Sequence, residues 1–292
     1  MTTQPPLQQS GRPEVPHGNA VDSRFSSPEI ANGMKHLNEL RLVPKNLPPE
    51  IQLHEDVTTR SVVVSHRVMA FWHTMIGKKV VMAVTGVVLI GFVIAHMLGN
   101  LKIFLGAEAI DTYAAFLRTM GEPLFPYSVL LWVVRIALLT CVGLHITAAV
   151  QLTLMNQAAR PIGYAAKRDI ETTWAARTMR WGGALLVAFI VFHLFHLTGG
   201  LFGFGPGQFK DLAVYQNVVA AFAVWPIAVF YIIAMGALCL HLDHGIWSLL
   251  QTLGWNTARN EATLQMISRG IAVVVFLGFT SVPVAVMTGW IR

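Results

Sequence analysis

Six of the eleven histidines lie inside long apolar runs, where an imidazole meets no water: His96, His145, His193, His196, His241 and His244. An ionisable side chain in hydrocarbon is costly unless something binds it, so each is a candidate for function. One such residue would read as a hydrogen-bonded packing histidine. Four separate runs with at least one each suggest a shared task. His96 follows Lys79 by 17 residues, about 25 Å along a helix, while His193 and His196 lie about 20 and 24 Å beyond Arg180. His145 and His241 fall past the midpoints of runs that cross in the other direction. The histidines therefore sort into an outer pair and an inner pair. Two depths with two imidazoles each suit two stacked b-type haems, each iron held from both faces with no position left for oxygen or substrate. Such a site passes electrons. Zinc fits less well, because a structural zinc site gathers four ligands at one place.

The elements that must position these rings are apolar helices. Of the 292 residues, 54% are hydrophobic and 12% are charged, against about 25% charged in a soluble domain. Five runs are long enough to span hydrocarbon, at about 77–104, 127–155, 180–203, 214–250 and 267–291. The expected fold is an all-α membrane protein, a five-helix transmembrane bundle over 61–292. The fourth run exceeds what a bilayer needs and contains Pro226, so a kinked, extended helix is expected there. Gly86, Gly91, Gly143, Gly182, Gly183 and Gly236 precede the histidines and would make room for a macrocycle, although glycine also serves close helix packing. Residues 1–60 hold eight of the fourteen prolines and no apolar period, and read as a disordered or extended arm. The arm lacks the apolar core of a signal peptide.

The net charge of +6 does not imply nucleic acid, because Lys and Arg cluster beside the runs. Arg60, Arg67, Lys78 and Lys79 precede the first, and Arg160, Lys167, Arg168, Arg177 and Arg180 separate the second from the third. Positive-inside orientation puts the N-terminus and the 156–179 loop in the cytoplasm and the C-terminus outside. Cys141 and Cys239 both lie in apolar runs and read as small core residues. Neither belongs to a C-x-x-C-H haem-attachment motif.

Three segments, "GKKVVMAVTG" (Gly77 to Gly86), "HMLGNLKIFLGAEAIDTYAAFL" (His96 to Leu117) and "HLDHGIWSLLQTLGW" (His241 to Trp255), resemble the five-helix, dihaem cytochrome b membrane subunit of succinate dehydrogenases and fumarate reductases. The resemblance runs in order over about residues 66–291. It implies a bacterial cytoplasmic-membrane anchor for a flavoprotein and an iron–sulfur subunit, which would carry the FAD and the iron–sulfur clusters. A quinone, generally menaquinone, would be the electron partner, and the complex could form a higher oligomer. By the same resemblance His96 and His193 would hold the distal haem b, and His145 and His241 the proximal one. The family's third-span ligand follows an Arg-x-x-Gly step, matched by Arg180 and Gly183, which selects His193. Depth alone prefers His196, which stays open as the alternative.

Two further residues carry expectations. Arg135 would be a bare charge in the outer half of the second run, so it is assigned to a propionate of the outer haem or a quinone headgroup. Glu108, with Asp111 and Tyr113 nearby, lies where the family has a quinone-site glutamate, and is the expected proton donor to quinone. Two other functions fit the histidines: a dihaem anchor of another respiratory dehydrogenase, and a haem-free transporter or proton pathway.

Overall fold

The computed structural model describes residues 70–159, 174–205 and 207–292. The arm expected over 1–60 and most of the basic 156–179 loop lie outside the described residues. The regular structure of the described residues is helical, without strands. Seven helices follow in order: α1 Met75–Asn100, α2 Ala107–Thr119, α3 Val129–Ala158, α4 Trp174–His193, α5 Val214–Ala223, α6 Trp225–Thr252 and α7 Glu261–Met287. A 3₁₀ turn, Leu101–Leu105, extends α1, and a single π-helical turn, Leu194–Thr198, extends α4.

Five of these elements are long and apolar enough to cross a membrane: Met75–Leu105, Val129–Ala158, Thr178–Thr198, Trp225–Thr252 and Glu261–Met287. In hydrocarbon a helix satisfies each backbone polar group within its own segment, which is why apolar runs of this length fold this way. Caps close the ends. The Thr74 hydroxyl accepts the Gly77 N–H at 2.9 Å and starts α1. Lys78, buried beside this cap, donates Nζ to the Trp72 carbonyl at 2.6 Å and stacks over the Trp72 ring.

The expected fourth span is two helices. The chain turns extended at Val224 (φ −84°, ψ 94°), and Pro226 falls at the start of α6. Proline has no N–H to give and crowds the carbonyl four residues back, so a first turn accommodates it with least disturbance. The result is a break where a kink was expected.

Helices α6 and α7 form a hairpin; α3 packs on α1, α4 packs on α6, and α1 also meets α6 and α7. Among the described residues, α1 and α4 have no extended packing on each other, nor do α3 and α6. Those are the two gaps that the histidines face. Lys78, Lys79 and Arg180 mark one end of the bundle, the near end. The far end is closed by the 3₁₀ turn, α2 and α5, which pack together over the core residues Ile103, Ile110, Phe222 and Tyr231. Asp111 on α2 accepts the Tyr215 N–H at 2.9 Å, which caps α5 from a neighbouring helix and sets a negative charge at its N-terminus. Asn217 locks the preceding loop, donating to the Lys210 carbonyl at 2.7 Å and accepting its N–H at 3.0 Å.

Asp111→Ala should loosen α5 by about 1 kcal/mol, the usual worth of a cap, and Asp111→Asn should keep most of it. Amide exchange in lipid nanodiscs reads this directly. Exchange at Tyr215 should rise roughly fivefold in the alanine variant, and unchanged exchange would show that α5 does not depend on the carboxylate.

Candidate functional site, two histidine pairs across the gaps

His96 on α1 and His193 on α4 face each other across one gap, with ring centroids 5.9 Å apart and planes at 82°. His145 on α3 and His241 on α6 do the same across the other, at 6.3 Å and 57°. Their levels follow from the packing. Gly86 lies opposite His145, where an added Cβ would come within 3.7 Å of Cε1, and Gly183 lies opposite His241 at 3.9 Å. His96 is ten residues beyond Gly86, and His193 ten beyond Gly183. On α6, Tyr231, which touches His193, comes ten residues before His241. Three helices thus give the same spacing, about 15 Å between a near pair and a far pair.

The Thr85 hydroxyl contacts the Val81 carbonyl at 2.7 Å and His145 Nδ1 at 3.1 Å. Its single proton goes to the closer carbonyl, so its oxygen accepts Nδ1–H from His145. That tautomer leaves a lone pair on Nε2. Glycine beside Thr85 lets the ring approach this closely. Neither Thr85 nor Tyr231 was singled out from sequence, because each serves a histidine on another helix. The readable sign was a hydroxyl within an otherwise apolar run.

The site fits a porphyrin with an iron at its centre. Two imidazole nitrogens at about 2 Å from one metal put their ring centroids roughly 6 Å apart, as in both pairs. An open groove of about 380 Å³ between α4 and α6 is lined by Gly182, Leu185, Ile233, Ala237, Leu240 and His241, on the α4 side of His241. His241 Nδ1 is buried without a partner among the described residues. A Cβ added at Gly182, which lies on the same face of α4 as His193, would meet nothing within 4 Å, so this glycine leaves open space beside the gap. No three His, Cys, Asp or Glu side chains converge to hold a metal ion among the described residues. A bis-imidazole iron needs only two.

The remaining candidates divide. Arg135, ten residues before His145 on the oppositely directed α3, comes level with the far pair and stacks over Trp132 at 4.9 Å. His196 lies on the π turn, fully buried, and bonds Tyr231 rather than His96. His244 packs beside Trp247. Glu108 is exposed in the first turn of α2. Asp111 is committed to capping α5, and Tyr113 packs on Gly99 beneath Lys102, so neither stands free beside Glu108. Cys141 and Cys239 are half-buried free thiols. Compared with protein-family models, curated proteins and solved structures, the chain matches none.

Proposed function

We propose that this chain is the membrane anchor and electron-transfer subunit of a succinate:menaquinone oxidoreductase, holding two b-type haems between its helices. The observation that carries the reading is the pairing of His96 with His193 and of His145 with His241, each at the spacing of two imidazoles sharing one iron. Haem held by His96 with His193, and by His145 with His241, would supply one-electron transfer.

The protein's own task is to orient and insulate. His145 offers Nε2 because Thr85 holds the proton of Nδ1. His193 offers Nε2 in the same way against the Tyr231 hydroxyl. Gaps between α1 and α4 and between α3 and α6 leave room for flat macrocycles, while the apolar faces around them exclude water. Arg135 supplies a positive charge level with the far haem, for a propionate or quinone oxygen. Two cysteines cannot ligate iron–sulfur clusters, so these, and the flavin that meets the dicarboxylate, belong to partner subunits docked on the basic near face. That face is the cytoplasmic one under the positive-inside rule.

A second haem level has a purpose only if electrons cross from the near face to the far one. Quinone is therefore reduced at the far end, beside α2. Glu108, exposed there, delivers protons from the opposite side of the membrane. Succinate oxidation would then draw on the membrane potential, at roughly 2.3 kcal/mol per charge per 100 mV.

Replacing His96 or His193 with Ala should abolish the far haem transition and spare the near one, and His145→Ala or His241→Ala should do the reverse. A redox titration followed optically separates the two. Four variants that each keep both transitions would overturn the ligand set. Thr85→Val should raise the potential of the near haem alone, by about 59 mV for a tenfold change in relative ferric stability, because an imidazole without its acceptor is a weaker donor. Thr85→Ser should restore it. A shift in the far haem, or none, would remove Thr85 from this role.

A further inference from the structure

The Tyr231 hydroxyl serves two imidazoles, lying 3.3 Å from His193 Nδ1 and 2.9 Å from His196 Nδ1. The hydroxyl has one proton and can donate to only one of them, so it must accept from the other. Under the proposed function, on which this inference rests, His193 Nε2 is a lone pair for iron, so that neutral ring carries its proton on Nδ1 and donates to the Tyr231 oxygen. The hydroxyl proton is then given to His196 Nδ1, in keeping with the shorter distance usual for an O–H donor. His196 must hold its own proton on Nε2.

That Nε2–H is an unmet donor. His196 is 0% exposed, and Nε2 has no partner among the described residues. A buried polar atom left in this way calls for an explanation. The ring sits on the π-helical turn Leu194–Thr198, a distortion that often accompanies functional sites. Phe192 stacks on it at 5.2 Å, and Phe204 flanks it at the same distance. Gly203, at φ +74°, brings bare backbone over the N–H. An atom in the position of a Gly203 Cβ would lie 3.3 Å from Nε2, obstructed by the δ-methyl of Ile227, which can turn aside.

We infer that His193, Tyr231 and His196 form a directed hydrogen-bond relay ending in a buried N–H that receives an oxygen acceptor at the edge of the far redox site. The acceptor is an oxygen borne at the edge of a flat apolar ring system, which the flanking phenylalanines suit. A quinone carbonyl and a haem propionate share that chemistry. The relay also gives Tyr231 a positioning role, because it fixes the tautomers of both rings at once.

The test uses the full chain with bound haem in lipid nanodiscs, with redox titration of both haems and binding of a water-soluble naphthoquinone as readouts. If quinone is the acceptor, His196→Leu weakens naphthoquinone binding roughly tenfold and leaves both potentials alone. If a propionate is the acceptor, the same variant lowers the far potential and leaves binding alone, because the carboxylate loses a compensating donor. His196→Gln, whose amide can donate, restores either property. Tyr231→Phe deletes one oxygen, keeps the ring, and raises the far potential in both cases, because His193 loses its acceptor. Should His196→Leu fail to fold, Tyr231→Phe and His196→Gln still decide the matter. The relay is overturned if Tyr231→Phe leaves the far potential unchanged, or if a folded His196→Leu alters neither property. An unaltered protein without two haem transitions would contradict the function itself, which is a different failure.

Discussion

An imidazole buried between helices has two ring nitrogens, and each must be accounted for. A neutral ring has one donor and one acceptor, and a low-dielectric interior makes an unmatched one expensive. Four helices here each bring a histidine to a gap, and hydroxyls from neighbouring helices take one nitrogen of two of those rings. Each of those rings lies next to a second imidazole from another helix. That constraint makes the arrangement more specific than six histidines in apolar runs would be. Two rings that share one metal settle their remaining nitrogens together, and the separations of 5.9 and 6.3 Å suit it.

The helix register turns this local chemistry into a vertical path. Ten residues separate the two levels on α1, α4 and α6 alike. Neighbouring helices can keep such a spacing only if they run nearly side by side, which their packing on α1 and α6 provides. The pairs of helices that carry facing histidines are the pairs that do not pack extensively on each other. Packing therefore occurs beside the gaps rather than across them. The far end is built differently, with two short helices and a capped loop over the bundle, and there the aromatic residues gather around His196 and Tyr231.

Much of this was legible in the sequence. Apolar runs of span length announced five helices long enough to cross a membrane, and the position of each histidine along its run sorted the rings by depth. Pro226 announced an interruption, but a periodicity argument cannot distinguish a kink from a break, and the chain breaks at Val224. The short helix α2 was not anticipated, because its apolar positions serve a cap over the bundle rather than a span. Asp111 read as a titratable group grouped with Glu108 because sequence shows neighbours along the chain, whereas its partner Tyr215 is 104 residues away. Thr85 and Tyr231 were missed for the same reason, since a hydroxyl's role depends on which ring the fold brings to it.

The central claim is that the two gaps hold two six-coordinate haems. The most direct measurement is the reduced-minus-oxidised optical spectrum of the purified chain in nanodiscs, combined with a chemical count of haem per polypeptide. The account predicts b-type bands from low-spin iron at two haems per chain, with no change on adding carbon monoxide because no axial position is open. Fewer than two haems per chain, or a spectrum that carbon monoxide perturbs, would contradict it.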